Sequence, residues 1–277
     1  MDEFRNPLTD PTVAQDINRV LADDSPMPVI QPPGDDVVYL PCGLTHQGTL
    51  ITTARVRELT GADEEAISRA ATSSATEAFV TTLLSCGVTH LGDFPATREL
   101  LEELVVGDRD ELLIGIRRAT YGDQIDYEMT CPQCKTRHAV RVGLDEIPRK
   151  KAETPGKTEF EVPLRKGRTA VVRMIRGSDQ SAIVRATRER GLTAAQADTM
   201  LLARTVIYIR DPDGTLHAVR EVESMVREGM GMADRAAILK ALAEHRVGPT
   251  EDGVPVPCSS CGNEMRAQVS VDVLFRW

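Results

Sequence analysis

Apolar positions at helical spacing, and stretches where apolar and polar residues alternate, divide the chain into two successive runs of elements. Residues 37–40 and 49–56 alternate as strands do, where successive side chains face opposite ways. Thr60-Gly61-Ala62-Asp63 then opens a helix in the manner of a capping box, with Asp63, Glu64 and Glu65 at its positive end. Helical spacing resumes over 77–85. A helix is expected over 96–106, with Leu100, Leu101, Leu104 and Val105 inward, and another over 109–120, capped by Asp108. The turn Tyr121-Gly122-Asp123 leads into a strand over 124–129. After a basic linker at 148–157, strands are expected at 160–164 and 169–175. Helices follow over 178–190, 193–206, near 221–227, and over 234–246. Ahead of all this, residues 12–22 place Val13, Ile17, Val20 and Leu21 on one helical face, and the prolines at 26, 28, 32 and 33 then require extended chain. Residues 1–35 read as an arm lying along a neighbouring subunit, or as a loosely packed tail.

The two runs are alike in residues as well as in order. Residues 56–70 align with 172–186 at an offset of 116 without a gap, and 8 of 15 positions are identical. Leu83-Leu84 matches Leu201-Leu202 at an offset of 118. Asp108-Arg109 matches Asp234-Arg235 at 126, as Gly122 matches Gly248. The offset grows only where loops fall. The expected fold is α+β and mainly helical, built as two tandem pseudo-repeats of strand, helices, strand, C-x-x-C and strand. Its divisions are an arm at 1–35, a first repeat at 36–147, a linker at 148–157 and a second repeat at 158–277.

Each repeat ends in a C-x-x-C: Cys131 with Cys134, and Cys258 with Cys261, offset by 127. A two-residue spacer lets both sulfurs of one turn face a single point, and two such turns complete the tetrahedron of a structural zinc. Alternating runs follow both pairs, at 138–142 and 267–271, as in the halves of a zinc ribbon. One Zn²⁺ per chain is therefore expected on Cys131, Cys134, Cys258 and Cys261. The 123 residues between the pairs (135–257) are then the second repeat's own body. The other geometry open to these residues is a zinc stapling knuckles from two chains. Cys42 and Cys86 stand alone and read as small apolar groups, and His138, four residues after Cys134, is a weaker candidate ligand.

Composition narrows the function. Hydrophobic content of 41% with 27% charged residues suits a protein with a substantial core. No apolar run reaches the roughly 20 residues that a membrane helix needs, and Met1-Asp2-Glu3-Phe4 does not open a secretory signal. A net charge of −9 and 4% aromatics argue against nucleic-acid binding. Only residues 149–190, with 12 basic and 5 acidic side chains, offer a basic face to a zinc-ribbon regulator. Asp211-Pro212-Asp213-Gly214 lacks the remaining ligands of a calcium loop, with Val222 where the bidentate Glu would stand. No phosphate-binding loop, nucleophile elbow or H-E-x-x-H motif occurs, and a four-thiolate zinc has no open position for catalysis. No catalytic residues are expected, and the chain is not read as an enzyme.

Leu59-Thr60-Gly61-x-Asp63-Glu64-Glu65, Gly107-Asp108-Arg109 opening an apolar helix with Ile116-Arg117, Tyr121-Gly122 and Cys131-Pro132-x-Cys134 follow one another in an order that resembles the baseplate proteins of contractile-tailed, T-even-like bacteriophages. That family includes hub subunits and hub-assembly factors. The resemblance covers roughly residues 45–147 and extends more faintly into the second repeat. It implies a structural or assembly role in the tail baseplate. The protein would be made in the host cytoplasm and built into the virion, with other baseplate or tail proteins, or copies of itself, as partners. An assembly chaperone that does not stay in the particle is the alternative within that family.

Overall fold

The computed structural model describes residues 36–73, 76–219, 222–250 and 252–275, so the expected N-terminal arm lies outside the described residues. β1 (Asp36–His46) and β2 (Thr49–Val56) form an antiparallel hairpin. Alternation buries Val38, Leu40, Ile51, Ala54 and Val56 and leaves Val37 and Tyr39 outside. The register breaks between Tyr39 and Leu44, where Gly43 has φ +85° and a Cβ would stand 2.6 Å from the Ile51 carbonyl. Next come α1 (Gly61–Ser73) and α2 (Thr76–Gly87), and then β3 (Val88–Leu91) and β4 (Phe94–Pro95) complete a sheet in the order β1-β2-β3-β4. α3 (Arg98–Glu103) is capped by the Thr97 hydroxyl. α4 (Val106–Tyr121) lies on the hairpin, and Gly115 admits Val38, whose Cγ2 would be 2.3 Å from a Cβ there. β5 (Gln124–Thr130) and β6 (Arg137–Gly143) form the hairpin that carries the first C-x-x-C at its turn.

After β7 (Arg149–Lys150) the order recurs. β8 (Glu159–Pro163) and β9 (Thr169–Arg173) precede α5 (Gly177–Arg190) and α6 (Ala194–Thr205), and β10 (Val206–Arg210) and β11 (Leu216–Ala218) complete a second sheet, β8-β9-β10-β11. A single π turn, Met225–Gly229, stands where α3 stands in the first half. α7 (Met232–Glu244), β12 (Gly248–Pro249), β13 (Val254–Pro257), β14 (Glu264–Ala267) and α8 (Val271–Leu274) follow. The architecture mixes helix and strand instead of being mainly helical, because each helix pair is followed by a strand hairpin. Those hairpins are short, and Val206, expected to end a helix, starts a strand. The helix expected over 96–106 is two helices separated by extended Val105. Asp108 lies inside α4 instead of capping it. The strand expected over 267–271 ends at Ala267 and gives way to α8.

Particular bonds recur with the elements. Arg57 makes a two-bond ion pair with Asp63, at 2.8 and 3.0 Å, and Arg173 does the same with Asp179, at 2.7 and 2.9 Å. Each carboxylate also accepts the backbone N–H three residues before it, Thr60 or Arg176. Asp108 accepts the N–H groups of Cys42 and Gly43, and Asp234 accepts that of Arg165. Arg109 donates to the Leu101 carbonyl and the Thr81 hydroxyl, and Arg235 donates to the Val226 carbonyl and the Thr199 hydroxyl.

Residues 34–277 form one compact unit. Within it the segments before and after the linker join through backbone bonds. Val106 N–H donates to the Ile175 carbonyl and Gly177 N–H to the Leu104 carbonyl, both at 3.0 Å. β7 pairs with β12, and Glu103–Arg176 and Asp110–Arg246 add ion pairs. Gly107 and Gly177 allow the approach: a Cβ on either would lie 1.8 Å from the Val247 carbonyl oxygen or Arg109 Nη1 respectively. The C-terminal elements cross over as well. Val254, Ala267, Leu274 and Phe275 belong to the core of the first half, beside Leu112, Ile125 and Leu144.

Burial opposes ionisation of Asp63, yet Arg57 and the Thr60 N–H hold its pKa down to about 2. Arg173, the Arg176 N–H and Arg204 likewise hold Asp179 down against stronger burial. Both folded-state values lie below those of the unfolded chain, so the stability they confer is complete above about pH 4 and declines as pH falls from there toward 2. Asp179→Ala strands the buried Arg173 and should cost about 3–5 kcal/mol. Asp63→Ala, at a more open site, should cost about 1 kcal/mol. Urea unfolding of both variants checks the order, and equal losses would contradict it.

Candidate metal centre

Each knuckle is a turn closed by the same two backbone bonds. Cys131 N–H donates to the Thr136 carbonyl and Lys135 N–H to the Cys131 carbonyl, at 2.9 and 3.0 Å. Cys258 N–H donates to the Asn263 carbonyl and Gly262 N–H to the Cys258 carbonyl, both at 2.8 Å. Lys135 and Gly262 occupy matching left-handed positions, with φ of 61° and 71°. Glycine takes that conformation without strain and lysine does not, so Lys135 is held there by the turn.

The first knuckle rides on β5 and β6, the second on β13 and β14. Packing of the second hairpin on the first half's core brings all four expected cysteines of one chain together. Their sulfurs all lie within 4.8 Å of one another. Pairing is crossed: Cys131 Sγ is 3.7 Å from Cys261 Sγ, and Cys134 Sγ is 3.6 Å from Cys258 Sγ. A tetrahedral ion with metal–sulfur bonds of about 2.3 Å has sulfur–sulfur edges of about 3.8 Å. The donor set therefore fits one four-coordinate ion. Cys131 and Cys258 are buried beside Met129, Val256 and Met265, while Cys134 and Cys261 face outward.

The surroundings favour thiolates at the first pair. The Cys134 N–H, and then that of Gln133, lower the Cys131 pKa. The Thr136 hydroxyl and backbone bring Cys134 down to about 5. At Cys261 the Asn263 N–H also favours the anion, but desolvation and the three neighbouring sulfurs outweigh it and push the thiol up to about 12. Four sulfurs this close cannot all carry charge without a cation between them, so an ion held there would resolve the conflict that falls on Cys261.

His138, a candidate ligand by position, stands outside the four sulfurs. Its Nε2 is 3.1 Å from Cys258 Sγ and its Nδ1 is 3.1 Å from the Ser259 hydroxyl, a hydrogen-bonding place bridging the two knuckles. The Asn263 side-chain amide lies 3.9 Å from Cys131 Sγ. Thr136 and Asn263 went unremarked in the sequence, although both stand two residues after the second cysteine of their pair. Cys42 and Cys86 are remote from the cluster. Burial first, then the charge of Asp108 or Asp63, pushes each up to about 11, as suits an unreactive thiol.

Elemental analysis of the full chain should find one metal ion per molecule, and Cys131→Ser should lose it. A fully folded chain without metal would remove the reading of this cluster as a metal centre.

Among the described residues no helix is long and apolar enough to cross a membrane. No curated protein and no solved structure matches the chain. A family model described as T4 bacteriophage base plate protein matches residues 42–274, a span that takes in both strand-and-helix segments and both knuckles. With most of its length matched, the chain belongs to the T4 bacteriophage base plate protein family.

Proposed function

We propose that this protein is a structural component of a contractile-tail baseplate: a duplicated module whose two copies are clasped by one structural Zn²⁺ and held against neighbouring baseplate subunits. The observation that carries this reading is the family match over residues 42–274, which extends across both halves and both cysteine pairs. The recurring element order and the matched bonds of Arg57 and Arg173, Asp108 and Asp234, and Arg109 and Arg235 support a duplication. In that reading the repeats run from 36 to 147 and from 158 to 277, with 148–157 as linker and 1–35 as an arm reaching a neighbour.

Four sulfurs and no carboxylate suit Zn²⁺ better than Mg²⁺ or Ca²⁺. Four protein ligands leave no position for a substrate, so the role assigned to the ion is to hold, not to catalyse. Structural zinc sites contribute apparent binding energies of about 10–16 kcal/mol. That is ample to keep two knuckles together across the 123 residues between them. X-ray absorption should show zinc with four sulfur neighbours.

Within the family, the reading favours a subunit retained in the particle over a hub-assembly factor that leaves, because a metal-closed, doubly cored body suits a permanent part. Quantitative mass spectrometry of purified virions should find the chain at a fixed ratio to tail proteins. Its presence in infected cells but not in virions would make it an assembly factor.

A further inference from the structure

The two halves meet through unlike surfaces. The first contributes residues 104–109 at the start of α4, and the second contributes residues 175–177 at the start of α5. The offsets that relate the halves give each of them a copy of the surface the other uses. Residues 230–235 correspond to 104–109, and residues 59–61 correspond to 175–177. Backbone geometry agrees with the correspondence. Gly231 precedes α7 with φ −65° and ψ 152°, and Val105 precedes α4 with φ −64° and ψ 152°.

Burial separates the used surfaces from their copies. Arg109 is 1% exposed, covered by Gly177, whereas Arg235 makes the matching bonds and is only half-buried. Val106 is half-buried with its N–H bonded to Ile175; Met232 in its place is 87% exposed. A Cβ on Gly177 would strike Arg109, while one on Gly61 would meet nothing within 4 Å. The N–H groups of Met232 and Gly61 have no backbone partner among the described residues. Among those residues, three of the eight exposed large apolar side chains, Val222, Met225 and Met232, fall in the segment leading into this surface. Such a concentration marks a contact site.

We propose that residues 230–235 of one copy dock on residues 59–61 of a second copy, repeating between chains the junction already present within each. The contact is head-to-tail, so each added copy leaves one surface of each kind open unless the assembly closes as a ring. Met232 N–H donates to the Leu59 carbonyl of the next copy, whose Gly61 N–H donates to the Met230 carbonyl, and Arg235 is covered by that Gly61. Ala233 occupies the place of Gly107, so the contact does without the close backbone approach that Gly107 makes to Val247. This inference rests on the duplication proposed above and not on retention in the virion.

Analytical ultracentrifugation of the metal-loaded full chain, over a wide concentration range, tests it with two variants at exposed positions, Met232→Asp and Gly61→Arg. The unmodified chain should form species above the monomer that grow with concentration. Each variant alone should lose them while keeping its circular dichroism, and an equal mixture should stop at dimers, because each variant retains the surface the other lacks. A monomeric unmodified chain, oligomers that survive either substitution, or a mixture that stays monomeric would overturn the proposal. None of those outcomes would alter the virion count that tests the structural role.

Discussion

A buried carboxylate at the third position of a helix, gripping backbone N–H groups of a distant bulge or turn, organises both halves of this protein. Asp108 holds Cys42 and Gly43 at 2.7 and 2.9 Å, and Asp234 holds Arg165 at 2.9 Å. The chain must change direction at those points, and the bulge at Gly43 or the turn at 165–167 leaves N–H groups without a strand partner. A carboxylate is the side chain able to satisfy them from the far side of a core. Placing the charge there is costly: burial, eased by the two N–H donors and aggravated by Glu111, pushes Asp108 up to about 6. The positive end of the α4 dipole offsets part of that cost. With the hairpin pinned to the helix, the sheet, the helix pair and the departing knuckle strand all take their places.

The junction between the halves depends on the residue that follows. Arg109 is held by Leu101 and Thr81 of its own half, and its guanidinium then forms the floor on which Gly177 sits. Because that arginine is bonded within its own half, what the second half must match there is a shape. Glycine at 177 and at 107 is required by contact with a neighbour, not by backbone angle. The zinc-type cluster lies elsewhere and depends on a different contact, the packing of Val254, Ala267 and Leu274 onto the first core. Two separate contacts therefore set the relation of the halves, one of close-packed backbone at Gly107 and Gly177 and one of apolar packing that brings the four cysteines together.

How much of this could be read in the residues depended on whether the signal was local. The cysteine pairs were legible because a C-x-x-C spacing dictates a turn. The alignment of Arg57 and Asp63 with Arg173 and Asp179 was legible because helix starts use few residue types. The short hairpins at 88–95 and 206–218 were missed, since two to five residues carry too little alternation to stand out from the helices before them. The break at Val105 was missed for a different reason. Apolar spacing runs straight through Leu101, Leu104 and Leu112, and the extended chain there pairs with Arg176, 71 positions away. Asp108 reads as a cap in isolation, and only the distant Cys42 and Gly43 explain why it is buried.

The crossing of the last elements onto the first core sets an order of events during synthesis. Residues 36–147 leave the ribosome with the face that Val254, Ala267, Leu274 and Phe275 will cover still open to water. The second half can assemble its own core from residues 160–242 while that face waits. Closure waits until residues 254–275 have been made, when the β13–β14 hairpin seals the first core and the same movement delivers Cys258 and Cys261 to the earlier pair. A chain truncated after residue 250 would therefore lose half of its cysteine cluster and the lid of its N-terminal core together, so such products are marked by exposed apolar surface.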